Sequence, residues 1–558
     1  LRGRAVVAIK GLGGYHLACD PFDAAAVRTL RGRKVRQDKP FALMARDLAQ
    51  VRELCHATPE EEALLTSTAR PIVLLECRKD NGVAEEVAPR QKTLGVMLAY
   101  TPLHHLLLRD AGIPLVMTSG NNSDEPIAYR DGEAFEQLCD IADYFLVHDR
   151  PIHVRCDDSV VRTVGGRPYP LRRSRGYAPA PLRLAGGFTR HTLACGGELK
   201  NTFCLAKDRH AFLSHHIGDM ENYETLRSFR EGVEHYCGLF DVQPELVAYD
   251  LHPEYLSTKY ARELEEDGLP AVGIQHHHAH VASCLADNER PDGERVIGVA
   301  LDGTGYGTDG DVWGGEFFEG SLEGGFIRRA HLEYVPLPGG SAAIRQPWRV
   351  ALARLITLYG EDEVLKLPLA VVREAGERNI RLIARLVEHR LNTPPTSSAG
   401  RLFDAVAALV GVPGSGRATY EGQAAVELEL AAHGPVGQGY PFILRPEGEM
   451  WVVETGEITG GVVEDLQSGR ETEEISSRFH RTVAEVVVAG CERIREEGGA
   501  SAVALSGGTF QNLLLVKQVL ELLIGKGFAV YRHRRVPTND GGLALGQAVL
   551  ANSSVQTG

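Results

Sequence analysis

The stretch that decides the fold of the larger part of the chain reads Val299-Ala300-Leu301-Asp302-Gly303-Thr304-Gly305. Here an apolar run typical of a buried strand ends at an acidic residue and a glycine-rich turn. Two further glycine turns follow apolar runs, and they read Gly196-Gly197-Glu198-Leu199-Lys200-Asn201 and Ser506-Gly507-Gly508-Thr509-Phe510-Gln511-Asn512. Glycine lets backbone amides approach a phosphate closely, although any one such turn is more often only a turn.

The joint order of the three turns is much more specific than each turn alone. A hairpin loop, then Asp-Gly-Thr-Gly, then Ser-Gly-Gly before a helix is similar to the layout of the actin-like fold of ATPases and sugar kinases, in which two α/β lobes bind a nucleotide. We therefore predict that the nucleotide is bound by residues of these turns, namely Gly197, Lys200, Asn201, Gly303, Gly305, Gly507, Gly508 and Asn512.

A histidine cluster, His276-His277-His278-Ala279-His280, follows the apolar run 271–274 and opens a helical pattern. In a helix, His276 and His280 lie on one face, close enough to bind one metal ion. Asp302 and Asp540 each end an apolar run before a glycine and are the best candidates for further ligands. Such a set suits one Zn²⁺ or Fe²⁺ with a coordination position left open. The alternative is a solvated or chance histidine tract; His277 and His278 receive no ligand role.

The chain divides at a Pro-rich stretch, Arg167-Pro168-Tyr169-Pro170 through Ala178-Pro179-Ala180-Pro181. Before it, residues 1–183 alternate strand-like and helical runs and predict one α/β domain. After it, residues 190–558 begin with a β-meander, continue with strand, turn and helix units of a largely parallel core, and carry helical periodicity over about 340–440. The predicted fold class is therefore α/β in both domains, with a helical insertion in the second.

Composition excludes several classes of protein. The 558 residues are 43% apolar and 24% charged, and no apolar run approaches the roughly 20 residues of a membrane span. The ten cysteines are scattered singly and the start lacks a signal-like apolar core, so we expect a reduced, cytoplasmic setting without membrane association. The start also lacks Met, which suggests a fragment of a longer or processed polypeptide.

Charge is distributed unevenly along the chain. Residues 1–183 carry 26 Lys and Arg against 23 Asp and Glu, whereas the remainder carries 34 against 51. The acidic second part makes nucleic acid a poor partner. The positive charge of the first part is concentrated at 28–39 and at Arg172-Arg173-Ser174-Arg175, as a site for a small polyanion requires.

The long motifs of the chain resemble those of the HypF family of hydrogenase-maturation carbamoyltransferases. The matching segments run through nearly the whole chain and are Gly11-Leu12-Gly13-Gly14-Tyr15-His16-Leu17-Ala18, Lys34-Val35-Arg36-Gln37-Asp38-Lys39-Pro40, Thr118-Ser119-Gly120-Asn121, Arg173-Ser174-Arg175-Gly176-Tyr177, 275–280 and 506–512. The resemblance implies a YrdC-like adenylate-forming domain at 1–183, followed at 190–558 by a TsaD-like, actin-like domain with a metal between its lobes.

The resemblance also implies a reaction. Carbamate, derived from carbamoyl phosphate, would attack ATP with Mg²⁺ to form carbamoyl adenylate, and the carbamoyl group would pass to the C-terminal cysteine of a HypE-like protein. Lys34, Arg36, Lys39 and Arg175 would neutralise the triphosphate, and Ser119 and Asn121 would fix a carbamoyl or phosphate group. Without the resemblance, such a basic run is more often a solvated helix end, and Ser119 and Asn121 are ordinary turn residues.

The chain departs from the family pattern because the expected N-terminal acylphosphatase-like and zinc-finger modules are missing, which places carbamoyl phosphate hydrolysis outside these residues. Three rival functions remain open. An antibiotic O-carbamoyltransferase has similar domains in the reverse order, and tRNA threonylcarbamoylation suits an acidic second domain poorly. A non-catalytic ATP- and metal-binding scaffold shares the actin-like fold and is not excluded by fold alone.

Overall fold

The computed structural model describes residues 3–122, 125–414, 416–434 and 437–556, and it divides into two compact units. Unit 1 comprises Leu1–Val272 and His533–Asn552, and unit 2 comprises Gly273–Arg532 and Ser553–Gly558. Each unit is a mixed α/β structure. Within the described ranges, no helix is both long enough and apolar enough to cross a lipid bilayer.

The N-terminal part of unit 1 is a ten-stranded mixed sheet flanked by helices. Its strands are β1 (Val7–Lys10), β2 (Tyr15–Cys19), β3 (Ala42–Ala45), β4 (Cys55–His56), β5 (Ile72–Cys77), β6 (Thr93–Leu98), β7 (Leu115–Ser119), β8 (Tyr144–Leu146), β9 (Val160–Val164) and β10 (Arg167–Arg172). The strand order is β10-β9-β5-β6-β3-β7-β2-β1-β8, with β4 paired to β5. The helices are α1 (Ala24–Arg33), α2 (Leu48–Leu54), α3 (Pro59–Thr66), α4 (Pro102–Ala111) and α5 (Asp131–Leu138).

Alternation along the strands of this sheet builds an apolar core on each face. Along β2, Leu17 packs into one core and its neighbour Ala18 into the other, as the two-residue period of a strand requires. The antiparallel register of β2 and β7 places His16 directly opposite Ser119. Two sequence motifs, one near residue 16 and one near residue 119, therefore meet on one face of the sheet.

The rest of unit 1 is a six-stranded sheet in the order β11-β14-β13-β12-β15-β16. Its strands are β11 (Leu182–Arg183), β12 (Thr192–Ala194), β13 (Cys204–Lys207), β14 (His210–Leu213), β15 (Leu246–Asp250) and β16 (Ala271–Ile274), and its helices are α6 (Tyr223–Phe240) and α7 (Leu256–Glu266). The strands β12, β13 and β14 pair antiparallel in sequence order, so the predicted meander is confirmed, and β15 then adds parallel to β12.

Unit 2 is a nine-stranded sheet in the order β22-β23-β19-β18-β17-β24-β25, with two short strands beside it. The strands are β17 (Val296–Tyr306), β18 (Val312–Ser321), β19 (Gly325–Leu332), β20 (Val335–Pro336), β21 (Pro395–Thr396), β22 (Ile443–Glu447), β23 (Met450–Glu454), β24 (Ala502–Ser506) and β25 (Ala529–Arg532). The first helix, α8 (His276–Asp287), precedes β17.

Helices dominate the middle of unit 2, and they continue past the predicted insertion of about 340–440. They are α9 (Ser341–Arg345), α10 (Trp348–Tyr359), α11 (Glu361–Val364), α12 (Ala370–Glu388), α13 (Ala399–Leu409), α14 (Gln423–Ala431), α15 (Gly456–Gln467), α16 (Thr472–Gly498) and α17 (Leu513–Gly525). A last helix, α18 (Leu543–Gln556), follows a short turn at Asp540–Gly542 and belongs to unit 1 as far as Asn552.

One structural expectation is wrong in detail. The Asp302-Gly303-Thr304-Gly305 segment lies inside β17 rather than in a turn after it, because β17 continues to Tyr306. The pairing with β18 shifts register between Leu301 and Gly305, as in a β-bulge. The parallel pairing of β17 with β24 places Ala300 beside Ser506, so the irregular segment lies next to the Ser-Gly-Gly loop.

Candidate active site

The start of α8 is built by the side chain of Gln275. Its Oε1 accepts hydrogen bonds from the backbone N–H groups of His277 (2.7 Å) and His278 (3.0 Å), which caps the helix. Its Nε2 donates to the carbonyl of Tyr306 at 2.9 Å and ties the helix to the end of β17. This cap places His276 and His280 on one buried face, with their ring centroids 4.9 Å apart.

Three of the predicted metal ligands converge within unit 2. Asp302 Oδ2 lies 3.0 Å from His280 Nε2 and 3.5 Å from His276 Nε2. The opposite nitrogen of His280, Nδ1, lies 3.3 Å from the Ser506 hydroxyl, which orients Nε2 toward the carboxylate. The other oxygen of Asp302, Oδ1, accepts from the backbone N–H groups of Gly303 (2.7 Å) and Gly508 (3.1 Å). Neighbouring groups thus orient His280 and Asp302.

The donor set fits a transition-metal ion. Two donor atoms that each lie about 2.1 Å from a zinc ion are roughly 3.0 to 3.4 Å apart at coordination angles near 90° to 110°. The observed separations of 3.0 and 3.5 Å match that spacing. Burial alone would raise the pKa of the Asp302 carboxyl, but hydrogen bonds with His276 and His280 lower this pKa well below its usual range, so the carboxylate is ionised. The interpretation as a solvated histidine tract is wrong, because these residues are buried.

The fourth predicted ligand, Asp540, belongs to unit 1. It begins the turn Asp540–Gly542, where the Asn539 side chain accepts from the Gly541 N–H at 3.0 Å. A Cβ atom at Gly197 would lie 3.4 Å from Asp540 Oδ2, so this carboxylate faces the first glycine turn. A ligand role for Asp540 stays a prediction.

The first glycine turn is folded by its own side chains. Asn201 Nδ2 donates to the carbonyls of Cys195 (2.9 Å) and Gly197 (2.6 Å), and the Asn201 side chain is fully buried. Lys200 has a positive φ of 48°, and its N–H donates to Asp219 Oδ1 at 2.7 Å. The amide of Asn201 therefore shapes this loop, and its predicted contact with a nucleotide remains a prediction.

The glycines of the second and third glycine-rich segments allow neighbouring groups to come close to the backbone. A Cβ at Gly305 would lie 2.4 Å from His277 Cε1 and 2.8 Å from His276 Cδ2, so only glycine leaves room for the histidine rings. A Cβ at Gly507 would lie 2.2 Å from the Leu301 carbonyl. Asn512, at the end of the third turn, caps α17 by accepting from the Leu515 N–H at 2.9 Å.

In the N-terminal sheet, three predicted site residues form one cluster. Lys34 Nζ donates to the carbonyl of Asn121 at 2.9 Å, to Asn121 Oδ1 at 2.6 Å and to the carbonyl of Ser119. The hydroxyl of Ser119 lies 2.7 Å from Asn121 Oδ1. Burial and then the nearby Arg36 charge lower the pKa of Lys34 well below its ordinary value. The basic motif after α1 and the Ser-Gly-Asn motif after β7 thus form one site.

The basic loop that follows Lys34 is held by Arg31, whose role the sequence did not reveal. Arg31 Nη1 donates to the carbonyls of Arg36 (3.1 Å), Gln37 (2.8 Å) and Lys39 (3.1 Å). Reduced solvation and then the neighbouring positive charges lower the pKa of Arg36 to about 9 and that of Lys39 to about 8. The charges that act on Lys39 include Asp219 and Lys200, so the first glycine turn lies near this basic loop.

Arg175 is placed differently from the other predicted basic residues. It is buried, its Nε donates to Asp158 Oδ1 at 2.7 Å, and its Nη1 and Nη2 donate to the carbonyls of Ala69 and Arg70, each at 2.9 Å. Asp158 also lies 3.0 Å from His16 Nε2. This buried ion pair, which a single sequence does not reveal, gives Arg175 a structural task beside its predicted one.

Comparison with known protein families matches three parts of the chain. Residues 1–174 match the Sua5/YciO/YrdC family model described as "Telomere recombination", 188–287 match "HypF Kae1-like domain", and 298–547 match "Carbamoyltransferase, Kae1-like Domain, second subdomain". The prediction of a YrdC-like α/β domain followed by a TsaD-like, actin-like domain is therefore confirmed. These domains define a carbamoyltransferase of mixed α/β class.

Individual relatives agree with this class. "Carbamoyltransferase HypF" of Rhodobacter capsulatus is 42% identical over 100% of this chain and 72% of its own length, and the protein of the same description from Synechocystis sp. is 39% identical over 97% and 70%. A solved structure, "Crystal structure of full-length HypF in the phosphate- and nucleotide-bound form", is 45% identical with a TM-score of 0.94 and covers 100% of this chain and 72% of that chain. The chain belongs to the HypF carbamoyltransferase family.

Proposed function

We propose that the chain forms carbamoyl adenylate from carbamate and ATP, and then transfers the carbamoyl group to the C-terminal cysteine of a HypE-like protein in [NiFe] hydrogenase maturation. The observation that carries the proposal is the cluster of Lys34, Ser119 and Asn121, which joins a buried ammonium group to hydroxyl and amide groups. Such a cluster can orient the phosphates of ATP and the carbamate together.

In the first step, a carboxylate oxygen of carbamate attacks the α-phosphorus of ATP, and pyrophosphate leaves with its Mg²⁺. Lys34, Arg36 and Lys39 offset the negative charge of the triphosphate and of the leaving group. Arg31 holds three carbonyls of the basic loop through Nη1 and so fixes the conformation of the loop that carries Arg36 and Lys39.

In the second step, the thiolate of the acceptor attacks the carbamoyl carbon, and AMP leaves. His276, His280 and Asp302, with Asp540 as a further ligand, would bind the zinc or iron ion, which supplies Lewis-acid stabilisation of negative charge on the carbamoyl or phosphate oxygens. Ser506 and the amides of Gly303 and Gly508 orient these ligands. Each of the chain's ten cysteines is a free thiol, and none is needed as the nucleophile.

The unstable adenylate requires a short path between the two steps. Carbamate and its adenylate decompose in water, so passage inside the protein protects the product. Within unit 1, the charges of Asp219 and Lys200 act on Lys39, so the basic loop and the first glycine turn lie close together. The chemistry needs ATP, reduced thiols and no membrane, which agrees with a cytoplasmic protein.

Product analysis tests the proposal. The purified chain receives carbamate, ATP with Mg²⁺ and a HypE-like acceptor; we expect pyrophosphate and an acceptor heavier by one carbamoyl group. Lys34→Met should abolish both products, whereas Lys366→Met, a change at an exposed lysine paired with Glu363, should leave both unchanged. An acceptor with its terminal cysteine changed to serine should gain no mass. Conversion of ATP to ADP and phosphate without an acyl product would contradict the proposal and favour the scaffold.

A further inference from the structure

Arg401 of α13 is a buried cation whose hydrogen-bonding capacity is only partly used. Its side chain is 7% exposed, and Nη2 lies 2.9 Å from Asp404 Oδ2. Nε and Nη1 are buried and have no hydrogen-bond acceptor among the residues that the structure describes. Buried donors without acceptors are costly, and for a charged group the cost is larger than for a neutral one. This position therefore favours an anionic ligand.

The guanidinium lies beside the irregular segment of β17. The Ser398 hydroxyl oxygen lies 2.8 Å from the carbonyl of Asp302 and 2.6 Å from that of Gly303, so its one hydrogen can be donated to either. It also accepts from the Arg401 N–H at 3.2 Å, which caps α13. A Cβ at Gly400 would lie 2.8 Å from Gly303 Cα, and a Cβ at Gly303 would lie 3.8 Å from Arg401 Nη2. The start of α13 is thus packed directly on the Asp302-Gly303 segment.

Two backbone donors at this site are already engaged. The N–H groups of Gly303 and Gly508, which the glycine pattern offers for a phosphate, both donate to Asp302 Oδ1. An anion bound here needs other donors. Arg401 supplies two nitrogens, and the first turn of the 11-residue helix α13 adds the positive end of its dipole.

We infer that Arg401 binds the phosphate of an adenosine monophosphate group, which in the proposed function is the AMP part of the carbamoyl adenylate. The inference rests on that proposed function for the identity of the nucleotide. Asp404 Oδ2 is 2.9 Å from Arg401 Nη2, and burial raises the pKa of the Asp404 carboxyl although the Arg401 charge opposes this rise. The phosphate would then lie close to the His276, His280 and Asp302 cluster, where the carbamoyl carbon must be attacked.

The test compares AMP with adenosine, which differ by the phosphate alone. Affinities are measured by calorimetry, and hydrogen exchange of peptides covering 302–307 and 399–409 assigns binding to this site rather than to the Lys34 site. We expect the wild-type protein to prefer AMP over adenosine by about 10- to 100-fold at this site, the range of one charge-assisted contact. Arg401→Met should abolish the preference, and Arg385→Met, at an exposed arginine of α12, should retain it.

Three results would overturn the inference. The first is a folded Arg401→Met protein that keeps the wild-type preference for AMP. The second is that inorganic phosphate and AMP protect the backbone amides of 399–409 equally from hydrogen exchange, since the site would then recognise free phosphate. If circular dichroism shows that Arg401→Met does not fold, Arg401→Gln replaces it, because glutamine removes the charge but keeps a polar side chain. An unchanged preference for AMP in that variant is the third result. The carbamoyl-transfer assay on the wild-type protein reports on the proposed function separately.

Discussion

Replacing Gly305 by alanine should disturb the histidine cluster without touching a ligand. The new Cβ would lie 2.4 Å from His277 Cε1, 2.8 Å from His276 Cδ2 and 2.9 Å from His277 Nε2, all closer than real Cβ contacts. Both histidines are fully buried, so neither ring can move into solvent. Overpacking of this kind costs about 1 to 3 kcal/mol of unfolding free energy. Displacement of the His276 ring should also weaken zinc binding about 10- to 100-fold, as loss of a neighbour that orients a ligand does.

Gly303→Ala is the matched control, because it adds the same atom two residues away with only one neighbour, Arg401 Nη2, at 3.8 Å. Zinc affinity is measured on metal-free protein by competition with a chromophoric chelator, and the unfolding midpoint is measured in guanidinium chloride. We expect Gly305→Ala to lower both quantities and Gly303→Ala to leave both near wild type. If the two variants bind zinc equally and unfold at the same midpoint, the packing argument for Gly305 is wrong.

Three further predictions address the other parts of the two sites. His276→Ala should lose the stoichiometric metal ion in elemental analysis, whereas His278→Ala, whose ring packs on Phe318, should keep it; an ion retained in His276→Ala would contradict the ligand assignment. The affinity for ATP, measured by calorimetry, should fall as the pH rises through about 8, because Lys39 loses its proton there. Lys39→Arg should make this affinity less dependent on pH, because arginine keeps its charge. An equally steep pH profile in Lys39→Arg would exclude Lys39 as the source of the pH dependence. Arg175→Met should lower the unfolding free energy by about 3 to 5 kcal/mol, since it removes the guanidinium partner of the Asp158 carboxylate, whose side chain is only 11% exposed. A stable but inactive variant in denaturation and pyrophosphate assays would instead favour a purely catalytic Arg175.

Much of the fold follows from patterns that the sequence displays locally. The meander of β12 to β14 is predictable because turn residues separate short apolar runs, and the helical middle of unit 2 because its periodicity lacks strand signals. The histidine cluster is predictable because ligands four residues apart share a helix face, and its capping by Gln275 agrees with that geometry. Local sequence patterns therefore predict the parts of the fold that depend on interactions between residues close together in the chain.

The extent of β17 could not be predicted in the same way. Glycines in Asp302-Gly303-Thr304-Gly305 normally indicate a turn, because glycine is unfavourable inside a strand. In the structure, pairing with β18 on one side and β24 on the other carries the strand past these glycines with a shift of register. Pairing with strands that are distant in the chain outweighs the preference of glycine for turns here. The sequence of the segment itself does not show which strands pair with it.

The hydrogen-bond partners of the glycine-rich loops are the feature of the site that is hardest to predict from the sequence. Glycine-rich loops present N–H groups to any anionic oxygen, so the same pattern serves a phosphate or a carboxylate. In this chain the N–H groups of Gly303 and Gly508 are given to Asp302, a residue that the same motif contains. A nucleotide bound at this loop needs donors besides these two N–H groups. Arg401, almost one hundred residues further along the chain, is a buried candidate with two nitrogens that have no acceptor among the described residues. A motif can therefore mark the correct place in the fold while the residue that recognises the ligand comes from a segment with no motif at all.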